Sequence, residues 1–337
     1  MTVEAVLLCN PSPILRHLVL TTLVDEPDPA EVEETARRAD HDSLLADLVA
    51  AQRTDGSWAE TDASWALLRL AFLGHSSRPG LGGEAAARGA ERLFAAQRGD
   101  GSWPLPAARM DDGSGRHAYD SVPLQTALPL IGLAAGGYAL DRRCERAYQW
   151  LLEQRLDDGS WPSGRASGVF GYVAGYRRLP HSRWGCRSNT TAAALALCYH
   201  PELRSGDEAR RAVDMLLARE TREESNLGLE VARILGFEPV RGFFTRFARF
   251  DPGLVLELAL AVGAGTEDPR VADLAEWVRG QQGPSGLWRY RPNPNASAWV
   301  TYHLLNVLRG LGPGADTWES RRPRTPFSPY PTRPRRY

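Results

Sequence analysis

Two kinds of apolar segment alternate along the chain. In one kind, hydrophobic residues run around most of a helical circumference: Pro13 to Val24, Ala66 to Leu73, Leu124 to Leu133, Ala192 to Leu197, Asp251 to Val262 and Val300 to Leu311. A helix of that composition has to be buried on more than one side. In the other kind, apolar positions recur on one face and charges occupy the rest. Leu44 to Gln52, Ala85 to Gln97, Arg143 to Gln154 and Val271 to Gln282 read this way, as does the segment opening Asp207-Glu208-Ala209-Arg210-Arg211. The alternation predicts an inner ring of buried helices wrapped by an outer ring of one-sided ones. Counting inner segments gives an all-α toroid or barrel of the (α/α)6 type, closed or slightly incomplete.

The boundaries between the two kinds are marked by a repeat. Gln52-Arg53-Thr54-Asp55-Gly56-Ser57-Trp58 returns as Gln97-Arg98-Gly99-Asp100-Gly101-Ser102-Trp103. It returns again, one residue longer, from Gln154 to Trp161, and in degraded form from Gln282 to Trp288. The tryptophans lie 45, 58 and 127 residues apart, so the last interval has room for a unit that has lost its signature. Asp-Gly-Ser stops a helix, because glycine accepts the left-handed conformation and Asp and Ser form local turns. Small polar residues then open each inner helix as expected N-caps: Asp62, Asp120-Ser121, Asn189-Thr190-Thr191, Asp251 and Asn295-Ala296-Ser297. Two stretches fall outside this scheme. Arg219 to Phe250 holds a short helical pattern at Leu227 to Leu235 and an aromatic loop at Phe243-Phe244-Thr245-Arg246-Phe247. Residues 1–312 read as a single domain, and 313–337, rich in proline and arginine, read as a disordered tail.

The Gln-x-x-Asp-Gly-Ser-Trp element resembles the glutamine–tryptophan repeat of squalene–hopene cyclases and of the wider toroid family that includes protein prenyltransferase β subunits. The resemblance spans roughly Leu44 to Leu311. Phe244-Thr245-Arg246-Phe247 with Asp251, and Trp299-Val300-Thr301, are also similar to bacterial squalene-cyclase-like proteins. The resemblance implies the toroid fold and an isoprenoid-handling activity. It also implies motifs that this chain departs from. Asp-x-Asp-Asp, which protonation-initiated cyclases carry, is absent, since Asp111-Asp112 runs into Gly113 and Asp157-Asp158 belongs to the repeat turn. The Asp-x-Cys pair of protein prenyltransferases is absent too, Trp184-Gly185-Cys186 lacking the aspartate. No aspartate-rich magnesium motif is present.

Composition narrows the picture further. A chain of 337 residues with a net charge of -1 offers no global attraction for nucleic acid. Every one of its 40 basic residues is arginine. Four cysteines without a CxxC pair point to a reducing, cytoplasmic setting. The N-terminus lacks the pattern of a signal peptide, and no window reaches the roughly 18 apolar residues of a membrane span. Peripheral membrane contact stays open, and the expected partner is a hydrophobic, isoprenoid-like small molecule.

If the inner helices start on one rim, their first residues should converge there. Asp120, Glu257 and His303 are the candidate catalytic groups, with Asp62, Trp65, Tyr119, Trp184, Asp251 and Trp299 as candidate substrate-binding residues. Glu257 stands alone in Leu254-Val255-Leu256-Glu257-Leu258-Ala259-Leu260, so burial should raise its pKa unless an arginine pairs with it. Trp299, His303 and Asn306 share one helical face. Asp62, Asp120 and Asp251 are equally N-caps by residue type. No cofactor is expected. Zinc on Cys186, Asp120 and His303 remains an alternative by ligand chemistry, as does magnesium. Three functions stay open: a cyclase or transferase acting on an isoprenoid by chemistry different from the motif-bearing families, a toroid that binds a hydrophobic ligand, peptide or protein without catalysis, and a carbohydrate-active barrel. The last needs paired carboxylates about 5 to 9.5 Å apart across the opening.

Overall fold

The computed structural model describes residues 2–59, 62–105, 119–218, 222–240 and 246–313. Asp111-Asp112, Phe243 to Thr245 and all of the tail after Pro313 lie outside the described residues. Among those described, the inner helices are α2 (Pro13–Thr22), α5 (Ala63–Phe72), α7 (Pro123–Leu133), α9 (Arg187–Tyr199), α12 (Pro252–Ala261) and α14 (Ser297–Gly310). Outside them run α1 (Val3–Leu8), α3 (Pro29–Ala39), α4 (Ser43–Ala50), α6 (Leu81–Ala95), α8 (Arg142–Glu153), α10 (Asp207–Leu217) and α13 (Pro269–Gly280). The short α11 (Leu229–Ile234) belongs to neither layer.

Neighbouring inner helices pack in the order α5, α7, α9, α12, α14, α2, and α6, α8, α10 and α13 cover α5, α7, α9 and α12 from outside. The patterning explains the layers. Every residue of α7 is buried, whereas α8 buries Cys144, Ala147, Tyr148, Trp150 and Leu151 along one stripe. Small residues set the spacing within the inner ring. A side chain at Gly132 would run into the backbone of Ser64, so α5 and α7 meet where that glycine sits. The molecule is an α/α toroid.

The repeat fastens outer to inner helices and outer helices to each other. Each motif tryptophan donates its indole N–H to the carbonyl ten residues earlier, at the end of the outer helix: Trp58 to Leu48, Trp103 to Leu93, Trp161 to Leu151 and Trp288 to Val278, at 2.7–2.8 Å. These carbonyls would otherwise be left open at a helix terminus. Gln97 donates to its own turn at Gly101 O and to Arg143 O in the first turn of α8, both at 2.9 Å. Gln52 does the same with Gly56 O and Ala85 O. The backbone N–H groups of Trp103, Trp161 and Trp288 donate to Thr126, Thr190 and Thr301, which tie each turn to the start of the next inner helix. Gly101 sits at φ +90°, and a Cβ there would strike the Arg146 carbonyl, so this turn needs glycine.

Two linkers depart from the plain hairpin. Between α8 and α9 the chain forms a small antiparallel ribbon, β1 (Arg165–Ala166) and β2 (Val169–Phe170). Between α10 and α12, where the motif is missing, the linker carries α11 inward against α5 and α14. Several expected caps also prove different. Asp62 and Asp251 cap α5 and α12. The N-cap of α7 is Val122, with the Gln125 side chain folded back on its N–H. Helix α9 begins at Arg187, ahead of the expected Asn189. Asn189 instead accepts the N–H of Leu124, which brings the starts of α7 and α9 side by side. Ahead of α14 a single 3-10 turn, Pro294–Ala296, is capped by Asn293.

Candidate functional site

Inside the ring lies a cavity of about 30 Å³, walled by Trp65, Leu68 and Phe72 of α5, Leu195 and Tyr199 of α9, and Leu254 and Glu257 of α12. Asp251, His303 of α14, Phe247 and the inward face of α11, with Glu230, Val231 and Ile234, complete it. That volume holds about one water. Helix α11 is what occupies the rest of the mouth. Asp251 accepts the backbone N–H groups of Gly228 and Glu230, at 3.0 and 2.8 Å, besides that of Gly253 in its own helix. From the opposite wall Trp65 donates its indole N–H to Arg233 O and Arg69 donates to Ile234 O.

Polar groups are concentrated at two depths. At the mouth, Glu230 is bound by Arg233 at 2.6 Å, while the Arg246 guanidinium lies 4.8 Å over the Trp65 ring. Burial pushes the Glu230 carboxyl up to about 7, against the pull of Arg233. Burial also raises Asp251, opposed by the three N–H donors it accepts. One and a half turns further down α12, Glu257 Oε2 is 3.5 Å from His303 Nε2. This is contact distance, longer than a normal hydrogen bond. The expected arginine partner is not found for Glu257 among the described residues. Its carboxyl rises to about 7 through burial. A third of its side-chain surface, 34%, is still accessible, and Glu257 is one of the cavity's walls. His303 is lowered by burial, against the attraction of Asp251, and is therefore neutral near pH 7. Around this pair stand aromatic rings. Phe72 lies 6.2 Å from both Trp299 and His303, and Trp65 meets Phe247 edge-on at 6.2 Å.

The residues singled out in the sequence therefore separate into two groups. Trp65, Asp251, Glu257 and His303 share the cavity, and Trp299 backs its wall through Phe72. Asp62 is exposed and spent on capping Ser64 N–H. Asp120 is exposed in the linker to α7, where its carboxylate accepts Ser167 N–H. The Tyr119 ring is buried against Gly164 and Gly171, and Trp184 lies in the linker between α8 and α9, tilted against Phe170 at 5.9 Å. Cys186 is buried at the start of α9, its sulfur accepting from the Asn189 amide. Asp120, Cys186 and His303 form no shared site: Asp120 turns to the ribbon at Ser167, Cys186 is buried at the start of α9, and His303 alone of the three lines the cavity. Among the described residues no group of three or more His, Cys, Asp or Glu side chains is placed to hold a metal ion. The carboxylate pair that a carbohydrate-active barrel would need, Asp120 with Asp62 or Asp251, is not gathered at the cavity, which Asp251 lines without the other two. Glu230 and Phe247 were missed. The visible signal for Glu230 was a carboxylate in the apolar run Leu227 to Leu235, as for Glu257.

Part of the chain also matches known enzymes in sequence. It is 30% identical over 85 residues to lanosterol synthase of Candida albicans, covering 25% of this chain and 12% of that enzyme. It is 29% identical over 129 residues to lanosterol synthase of Mus musculus, covering 35% and 17%. The chain is similar to terpene cyclases. It spans less than a fifth of the length of the lanosterol synthases it matches. No family model matches it. Among solved structures, a type II terpene cyclase from Scytonema, MstE with its substrate geranylgeranyl dihydroxybenzoate, aligns over 78% of this chain and 69% of that one, with 18% identity and a TM-score of 0.48. A protein from Actinoplanes aligns over 88% and 89%, with 18% identity and a TM-score of 0.42. No described helix is long and apolar enough to cross a membrane.

Proposed function

We propose that this chain is an isoprenoid-handling enzyme of the terpene-cyclase type, in which Glu257 is the proton donor. The observation that carries the reading is a carboxyl raised to about 7 by burial, without an arginine partner among the described residues, lining an aromatic cavity. Such a group keeps its proton in about half of the molecules at neutrality, and the neutral His303 is the base beside it. In the proposed step the Glu257 O–H breaks and its proton forms a C–H bond with one carbon of a substrate alkene. The π pair is consumed, and a tertiary cation is left on the other carbon. The faces of Trp65, Phe72 and Phe247 stabilise that cation. Loss of a proton from the rearranged cation to His303, and its return to Glu257, closes the cycle with no net change in the protein. The sequence similarity to lanosterol synthase supports the substrate class. The missing Asp-x-Asp-Asp motif makes Glu257 an acid in a different place from the family's.

A second reading rests on the same cavity. At about 30 Å³ it is far below the roughly 300 Å³ at which small-molecule pockets begin. Catalysis therefore requires α11 to withdraw on substrate entry, whereas a non-catalytic toroid would keep α11 in place and bind its ligand elsewhere. Incubation with squalene and with prenyl diphosphates, followed by mass spectrometry of the products, separates the two. The enzyme reading expects cyclised or transferred products whose formation falls as pH rises through 7, and loss of that turnover in Glu257→Gln. Absence of any product, together with no ligand-dependent rise in Tm, sinks it.

A further inference from the structure

The loop between α8 and α9 presents a surface that the proposed reaction does not use. From Gly159 to His200 the chain contains no Asp or Glu, although charged residues make up 24% of the whole. The same stretch holds five arginines, four of them, Arg165, Arg177, Arg178 and Arg183, within the loop itself. Three of the five large hydrophobic residues that stand exposed among the described residues are also here: Val169 at 67%, Tyr172 at 68% and Tyr176 at 53%. The other two, Leu81 and Leu140, stand singly beyond the C-terminal ends of α5 and α7, at the opposite end of those helices.

The loop is held firmly. Arg165 pairs with Ser121 ahead of α7, and Arg178 pairs with Cys186 at the start of α9. Tyr119 is clamped beneath Gly164 and Gly171. Val169 sits on the turn of the ribbon, where Ser167 takes a positive φ of 50°. The bordering carboxylates are engaged, Asp120 by Ser167 N–H and Asp158 by the hydroxyls of Ser160 and Ser182. Guanidinium groups ride on the aromatic rings, Arg183 over Trp184 at 4.9 Å and Arg165 over Phe170 at 5.0 Å. Apolar and tyrosyl side chains projecting from a firmly held loop that contributes four arginines and no acid of its own, with Asp120 at its edge, match an anionic bilayer surface. The side chains enter the interface, and the arginines meet headgroup phosphates.

We infer that this loop docks the protein on membranes carrying anionic lipid, through Val169, Tyr172 and Tyr176 flanked by Arg178 and Arg183. The inference stands on the surface alone and does not require the proposed reaction. Flotation of the full chain with phosphatidylcholine vesicles, with or without phosphatidylglycerol, tests it. Binding is expected on the phosphatidylglycerol vesicles, weakening as salt is raised. Val169→Ser/Tyr172→Ser/Tyr176→Ser and, separately, Arg178→Gln/Arg183→Gln should each lower partitioning roughly tenfold or more. Circular dichroism and Tm should stay unchanged in both, because the substituted groups are on the surface. The inference is overturned if neither vesicle binds, or if both variants bind like the parent. It is equally overturned if the same substitutions abolish capture by polyglutamate or DNA and leave vesicle binding intact.

Discussion

A carboxylate buried among leucines costs free energy whenever it is ionised, and Glu257 bears that cost without an arginine partner among the described residues. Its carboxyl is held at about 7 in the fold against 4.5 in the unfolded chain. Between those values the folded state keeps a proton that the unfolded state has released, so stability falls as pH rises through this window. A difference of that size corresponds to about 3 kcal/mol if fully expressed. Accessibility of a third of the side chain reduces it to roughly 1–2 kcal/mol. Glu257→Gln is therefore expected to match the parent in stability at pH 5 and to exceed it by that amount at pH 8. Urea unfolding at the two pH values measures the difference. Glu230 titrates in the same range but is present in both proteins, so it cancels. A variant no more stable at pH 8 than at pH 5, relative to the parent, would mean that Glu257 is solvated and unsuited to hold a proton at neutrality.

Among the elements, the repeat turn is a joint, and its parts have separable costs. Gln97 bridges Gly101 O and Arg143 O, so Gln97→Ala leaves two carbonyls without that donor and should cost about 1–3 kcal/mol. Gly101→Ala forces a β-carbon into the left-handed region and against the Arg146 backbone, and should cost about 2 kcal/mol or more. Chemical denaturation of the two variants checks both values, and equal stability to the parent in either would show that the turn is not the joint described. The turn was legible in the sequence because Asp-Gly-Ser and the flanking Gln and Trp act locally. The threonine partners Thr126, Thr190 and Thr301 were not, since nothing in their own surroundings announces a bond to a tryptophan N–H. Asn189 looked like a cap for a similar reason. Its type suits a helix start, but its true partner, Leu124 N–H, lies 65 positions away.

At the scale of the whole molecule, layer order followed from periodicity, whereas the content of the lumen did not. Helix α11 is six residues long and lies in a linker without the repeat, so only its tertiary contacts with Asp251, Trp65 and Arg69 place it inside the ring. Closure of the ring has the same character. Helix α14 packs against α2, and Arg309 donates to Leu23 O at 2.6 Å and to Glu4 Oε1, residues 286 and 305 positions away. Val3 meets Gly286, and Thr22 reaches Tyr302. These contacts form the seam between the first and last units, where no chain connection reinforces the packing. Elsewhere in the ring each neighbouring pair is also joined by the chain itself, through a repeat turn everywhere except between α10 and α12. The seam should therefore be the first part to open. Arg309→Ala removes the donor to Leu23 O and should cost about 1–3 kcal/mol. Because α1 and α2 would be released while α7 and α9 remain packed, amide exchange should accelerate in residues 3–22 and stay unchanged in residues 123–133 and 187–199. Uniform acceleration across all of these helices would show instead that the toroid opens as one cooperative unit with no seam.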